Sequence, residues 1–135
     1  MTNRLPDWDA RLRKYLASVA HRPFDGDTYH CGHFTAGAVE AETGRDLFAE
    51  WSGQQGIANG LRALKQSGHA DHIGLLATLF DEVPVAFARP GDVAVLNASE
   101  RVPDLGIVQG EAVYVLRADG LGSVPLLTAE RVFRL

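Results

Sequence analysis

The amino-acid sequence predicts an α+β domain, with helices in the first half of the chain and an antiparallel sheet in the second. Apolar residues recur at helical spacing up to about residue 80, whereas short alternating segments between glycine-containing turns follow from about residue 90. At 135 residues, with 46% hydrophobic and 22% charged residues, the chain has the size and balance of one globular domain. We therefore predict a single domain over residues 1–135, with a helical half at about 7–80 and a strand half at about 90–135.

Four helices are predicted in the first half. Apolar side chains form one stripe from Trp8 to Val19, which indicates the first helix. The second runs from near Cys31 to Gly44, because glycine suits the left-handed cap at a helix C-terminus. A third helix is predicted over residues 56–67 and a fourth over residues 70–80.

Five segments of the second half have the alternation and the bounding turns of β-strands. A Pro-Gly-Asp turn precedes the first of them, in which Val93 and Val95 share one face, and Asp92 is expected to cap the turn. Gly110-Glu111 joins the second and third segments into a hairpin. The predicted strands are residues 92–96, 106–109, 112–116, 122–126 and 131–135.

Charge and composition exclude several classes of function. The formal net charge is −4, and Lys and Arg form no basic cluster, so we predict no nucleic-acid partner. Apolar stretches are far shorter than the ~20 residues of a membrane-spanning helix. The N-terminus has no apolar signal core, so synthesis in the cytoplasm is expected. His69, Asp71 and His72 lie close together without a fourth ligand, and no phosphate-binding glycine loop occurs. We therefore predict no metal and no cofactor.

The single cysteine is the candidate functional residue. A thiolate is the reactive form of cysteine, and the positive end of a helix dipole stabilises it, so Cys31 at a helix start is well positioned as a nucleophile. The alternative is a small buried residue, a common environment for free cysteine. A cysteine nucleophile also needs a base, usually an imidazole. His30 must fold back to reach the sulfur, and His33 lies about 200° around the helix and is expected to point away.

Several short segments follow one another in the order found in a known enzyme family. They are Arg22-Pro23-Phe24, Cys31-Gly32-His33-Phe34, Thr43-Gly44-Arg45-Asp46, Arg89-Pro90-Gly91-Asp92-Val93, Leu105-Gly106-Ile107-Val108-Gln109-Gly110 and Val124-Pro125-Leu126. Together they resemble the NlpC-type branch of the papain-like cysteine peptidases. The resemblance is greatest to a short phage-associated branch found in tail gene clusters of phages and gene-transfer agents. It implies a papain-like fold, with N-terminal helices packed on an antiparallel sheet and Cys31 at the position of the nucleophile.

Two residues depart from the pattern of active members of that family. His30 stands where they carry an aspartate before the cysteine, and Asp104 stands where they carry the histidine base. A carboxyl group with a pKa near ~4 is a poor base for a thiol with a pKa near ~8.5. A carboxylate close to the sulfur also disfavours the thiolate.

The departures favour one function and leave two others open. The favoured function is a structural or adaptor protein of a phage or phage-derived tail tip, with a degenerate peptidase fold. It would bind hub or fibre-base proteins within the particle. The first alternative is a peptidoglycan stem-peptide hydrolase with Cys31 as nucleophile and His30 or His72 as substitute base, for which peptidoglycan is a further partner. The second is a pseudoenzyme that binds a peptide without cleaving it.

Overall fold

The computed structural model describes residues 3–25, 29–47, 72–97 and 104–135. These residues confirm the α+β class, with three α-helices and one six-stranded antiparallel sheet. The helices are α1 (Trp8–Val19), α2 (Cys31–Thr43) and α3 (His72–Leu79). The strands are β1 (Asp81–Val83), β2 (Val93–Leu96), β3 (Asp104–Gln109), β4 (Ala112–Arg117), β5 (Gly120–Pro125) and β6 (Arg131–Arg134). Two short 3-10 helices, Val85–Phe87 and Leu126–Thr128, follow β1 and β5.

The sheet has two apolar faces, each covered in a different way. Its strands lie in the order β1-β6-β2-β3-β4-β5, and each adjacent pair is antiparallel. Val93 and Val95 share one face, as predicted, and pack with the buried side chains of the helices. Ala94 and Val108 face the other way, where Leu126 packs against them. The helices therefore cover one face, and a 3-10 segment covers part of the other.

The two N-terminal helices pack closely on each other. Leu12 and Leu16 of α1 are buried, which confirms the predicted apolar stripe. The Tyr15 hydroxyl donates a hydrogen bond to the carbonyl oxygen of Phe34 at 2.8 Å. A Cβ atom at Gly37 would collide with the Tyr15 ring, so glycine at this position allows α2 to approach α1.

The predicted ends of α2 are confirmed at both termini. Cys31 is its first residue, and Gly44 follows its last residue with a φ of 77°. The Gly44 N–H donates to the Glu40 carbonyl oxygen at 2.8 Å. This left-handed glycine stops the helix. α3 lies inside the fourth predicted helix, whereas the helix predicted over residues 56–67 lies outside the described residues.

The strand bounds differ from the prediction by one residue in β2, β4 and β6 and by more in β1, β3 and β5. β1 is not indicated by the sequence pattern, so the sheet begins at Asp81 and not near residue 90. β3 and β5 each begin two residues earlier than predicted, at Asp104 and Gly120, and β5 ends one residue earlier. β1 is only three residues long and has two exposed side chains, so the alternation that identifies a strand is missing. Its pairing with β6 determines its conformation.

A buried ionic cluster connects the N-terminal segment to α2 and to the turn before β2. Arg4 donates to Glu42 Oε1 at 3.2 Å, to Asp92 Oδ1 at 2.9 Å and to the Pro90 carbonyl oxygen at 3.0 Å. Asp92 Oδ2 accepts from the Arg89 N–H at 2.8 Å, which confirms the predicted turn cap. Burial raises the pKa of Glu42 to about 8, although Arg4 acts to lower it. The Asp92 carboxylate also raises this pKa, so burial and Asp92 both oppose the negative charge that Arg4 favours on Glu42.

Candidate functional site

Cys31 occupies the first position of α2, at the positive end of the helix. The residue before it, His30, has an extended backbone (φ −114°, ψ −177°) and serves as the N-cap. Its imidazole Nδ1 accepts a hydrogen bond from the Gly32 N–H at 3.0 Å. The Cys31 side chain is partly buried. The sequence prediction of a cysteine at a helix start is thus confirmed.

Asp104 lies beside Cys31, which brings together two of the predicted site residues. It is the first residue of β3, and its carboxylate acts electrostatically on the Cys31 thiol. Asn97 Nδ2 donates to Asp104 Oδ2 at 2.9 Å and thereby orients the carboxylate. Asn97 has a φ of 53°, a left-handed conformation that asparagine tolerates better than most residues. Asn97, the residue that follows β2, therefore fixes the position of Asp104 at the edge of the site.

A small cavity of about 180 Å³ opens at these residues. Its lining residues combine the cysteine and the aspartate with one arginine, one asparagine and several aliphatic residues. The lining residues are Cys31, Leu96, Asn97, Asp104, Leu105, Val115, Leu116, Arg117 and Val124. A volume below the ~300 Å³ of typical ligand pockets leaves room for a small group or a few water molecules.

The surroundings of Cys31 favour the neutral thiol. Burial is the largest effect and raises the pKa of Cys31. The backbone N–H of Leu105 acts in the opposite direction because it stabilises a thiolate, whereas the Asp104 carboxylate raises the pKa further. The net direction is upward from an ordinary value that already lies above neutral pH. Cys31 is therefore protonated at pH 7.

The two histidines next to Cys31 are hydrogen-bonded to the backbone of the helix terminus. His33 Nδ1 accepts from the His30 N–H at 3.3 Å, so the two side chains form a reciprocal capping box. A neutral imidazole that accepts at Nδ1 carries its proton on Nε2. Either ring could then take a proton only at Nδ1, which would end its capping hydrogen bond. This arrangement opposes a role for either ring as the base for Cys31.

The helical periodicity did not indicate that His33 would be close to His30. It predicts only that the His33 ring points away from Cys31. The structure adds that the ring centroids of His30 and His33 are 4.1 Å apart, in an edge-to-face arrangement. The side chain at the third helical position can turn back to the N-cap, and this local geometry outweighs the position around the helix axis.

The other predicted candidates lie at the start of the described range 72–97 or outside the described residues. His72, the proposed substitute base, is the first residue of α3. His69 and Asp71 lie outside the described residues. Within residues 3–25, 29–47, 72–97 and 104–135, no group of three or more His, Cys, Asp and Glu side chains could hold a metal ion. In the same ranges, none of the helices has the length and apolar character needed to cross a membrane.

Three features of the site were missed by sequence reasoning, namely Asn97, Arg117 and the Leu105 N–H. The positions of the first two follow from the strand register, once the pairing of β2, β3 and β4 is known. Leu96 pairs with Asp104, so the next residue after β2 lies at the same end of the sheet. The register of β3 and β4, continued to the ends of the strands, sets Arg117 opposite Asp104.

Fold and site together define a class of protein. The chain is an α+β domain whose single cysteine, Cys31, begins a helix. This cysteine lines a cavity together with Asp104, an aspartate at the start of an antiparallel strand. The chain belongs to the family described as a domain of unknown function, DUF6950, whose model matches residues 3–135. No curated protein sequence matches the chain.

Proposed function

We propose that this chain is a papain-like domain of the NlpC type that lacks hydrolase activity and serves as a structural or adaptor protein in a phage or phage-derived tail tip. The observation that carries the proposal is the pair formed by Cys31 and Asp104. An acidic side chain stands where a base is needed, and it raises the pKa of the thiol that the base would have to deprotonate.

The neighbouring imidazoles give further support. A cysteine hydrolase lowers the pKa of its nucleophile with an adjacent histidine. Here the nearest histidines in the sequence, His30 and His33, accept hydrogen bonds from the helix terminus through Nδ1. Their geometry suits stabilisation of α2 better than proton transfer.

A role in an assembly is supported by exposed apolar side chains away from the cavity. Phe87 is 67% exposed and Leu127 is 87% exposed. Both belong to the 3-10 segments that follow β1 and β5, and other residues of these segments, Val85 and Leu126, pack on the second face of the sheet. Large exposed apolar side chains are frequent at protein–protein interfaces. We propose hub or fibre-base proteins of the tail tip as the partners and the assembled particle as the location of the chain.

The second candidate function, cleavage of the peptidoglycan stem peptide, is favoured by one observation. Cys31 lies at the positive end of α2, and the Leu105 N–H stabilises a thiolate there. In this mechanism the sulfur would attack the peptide carbonyl carbon, and the backbone N–H of Cys31 would help to hold the oxyanion. The peptide C–N bond would then break, the amine would leave with the proton taken from the thiol, and water would hydrolyse the thioester. This mechanism still requires a base that deprotonates the Cys31 thiol.

Digestion of purified peptidoglycan distinguishes the two functions. We expect the wild-type protein to release no more stem peptide than the matched variant Cys31→Ala, because no group activates the thiol. Release by the wild type that Cys31→Ala abolishes, at unchanged thermal stability, would establish the hydrolase instead. The adaptor role further requires the chain to be present in purified particles, and its absence from them would contradict that role.

A further inference from the structure

The N-cap of α2 is built from two imidazoles. N-cap residues are usually Ser, Thr, Asp or Asn, with Glu or Gln at the third helical position. In this chain His30 and His33 fill both positions, and each accepts a backbone N–H through Nδ1. Unlike the usual side chains, imidazole changes its charge between about pH 5 and 8.

We propose that the His30–His33 capping box is an acid-sensitive cap: protonation of either imidazole opens the first turn of α2 and exposes Cys31. This inference goes beyond the proposed function and does not depend on it, because the cap acts on the helix whether or not Cys31 is reactive.

Protonation opposes the cap in two ways. It places a proton on Nδ1, so this atom becomes a donor and can no longer accept the Gly32 or the His30 N–H. It also places a positive charge at the positive end of the helix dipole. His30 is only 3% exposed, so solvent cannot replace the lost acceptor unless the turn opens.

Neighbouring groups also influence the protonation of the two imidazoles. Burial lowers the pKa of His33, and the Arg22 guanidinium lowers it further. Arg22 lies 4.0 Å from the centroid of the Tyr29 ring, which in turn lies 6.5 Å from the His33 ring. Asp104, the first residue of β3, acts electrostatically on Cys31, which lies between the two histidines in the sequence. Within the described ranges, Arg22 and Tyr29 are the titratable or charged groups that act on or lie near the His33 ring. Tyr15 and Asp25 contact Tyr29.

The direction of the pH effect follows from linkage. A histidine whose pKa is lowered by folding adds stability above its unfolded value of about 6.5, and this stability is lost as the pH falls. Glu42 acts in the opposite direction, because its raised pKa makes the folded protein more stable as the pH falls from about 8. Only a comparison between variants that share Glu42 isolates the contribution of the imidazoles.

Thermal unfolding at about pH 7.5 and about pH 5 provides this comparison. The test variant is the double substitution His30→Asn and His33→Gln, which keeps acceptors at both cap positions and removes both titrations. The control is His21→Asn, because His21 is exposed and lies outside the capping box. On acidification we expect the wild type and His21→Asn to lose at least about 4 °C more in Tm than the double variant. Equal losses in all three proteins would overturn the proposal.

Labelling of Cys31 by a dipyridyl disulfide, which reacts with thiols in acid as well as at neutral pH, measures the opening itself. We expect the ratio of the rate at pH 5 to the rate at pH 7.5 to be several-fold higher in the wild type than in the double variant. The double variant His30→Ser and His33→Glu, the usual capping-box pair, replaces both imidazoles and serves if the first double variant does not fold. Equal ratios in wild type and variant would show that protonation leaves the first turn closed, and would contradict the proposal.

Discussion

Replacement of Arg4 by alanine is expected to destabilise the protein by about 3–5 kcal/mol, the range found when one partner of a buried ion pair is removed. The Arg4 side chain is 9% exposed, and Glu42 and Asp92 are fully buried. Without Arg4, Asp92 keeps Arg134 at 3.6 Å and the Arg89 N–H, but loses its closest cationic partner. The Pro90 carbonyl oxygen also loses a donor. The backbone hydrogen bond from the Leu5 N–H to the Glu42 carbonyl oxygen, at 2.7 Å, remains in the variant.

The matched control for this prediction is Arg13→Ala. Arg13 pairs with Asp9 on the surface of α1, with the two side chains 72% and 54% exposed, so its loss should cost at most about 1 kcal/mol. Urea unfolding followed by tryptophan fluorescence measures both variants. A free energy of unfolding for Arg4→Ala that equals that of Arg13→Ala would mean that the buried cluster does not stabilise the fold.

Replacement of Asp104 by histidine is expected to increase the rate of Cys31 alkylation at pH 7 by at least about tenfold, the change in thiolate fraction for one unit of pKa. The substitution removes a carboxylate that raises the pKa of Cys31. It also introduces an imidazole beside the sulfur, where a thiolate–imidazolium pair can form. Alkylation by iodoacetamide, followed by intact mass, gives the rate directly because the chain has one cysteine.

Asp104→Asn separates the two contributions to this increase. It removes the charge without supplying a base, so we expect a smaller increase than for Asp104→His. Equal rates in the two variants would mean that the imidazole does not reach the sulfur. Wild-type rates in both would contradict the assignment of Asp104 as a residue that suppresses the reactivity of Cys31.

The local features of the fold could be predicted from the sequence, because local rules determine them. The apolar stripe from Trp8 to Val19 identified α1, and Gly44 identified the end of α2. The alternation of Val93 and Val95 identified the faces of β2. By contrast, β1 depends on pairing with β6, and no local pattern indicates a contact between strands about fifty residues apart.

The site could be predicted in part. The helix start at Cys31 was predicted from the sequence, and a position for Asp104 close to it was an expectation from the family resemblance; both residues line the same cavity. The capping role of His30 and His33 could not be predicted, since imidazole is not among the usual N-cap side chains. The Arg4–Glu42–Asp92 cluster was also missed, because charged residues are assigned to the surface unless a tertiary partner is known.

The pH dependence of Cys31 alkylation in the wild-type protein tests most directly whether the chain has lost cysteine-hydrolase chemistry. We predict a rate that rises steadily with pH and reaches half its maximum above the ordinary thiol value of about 8.5, because burial and Asp104 both raise the pKa of Cys31. A rate that is already constant at pH 7, with a midpoint below neutral, would reveal an activated thiolate and contradict the proposed function.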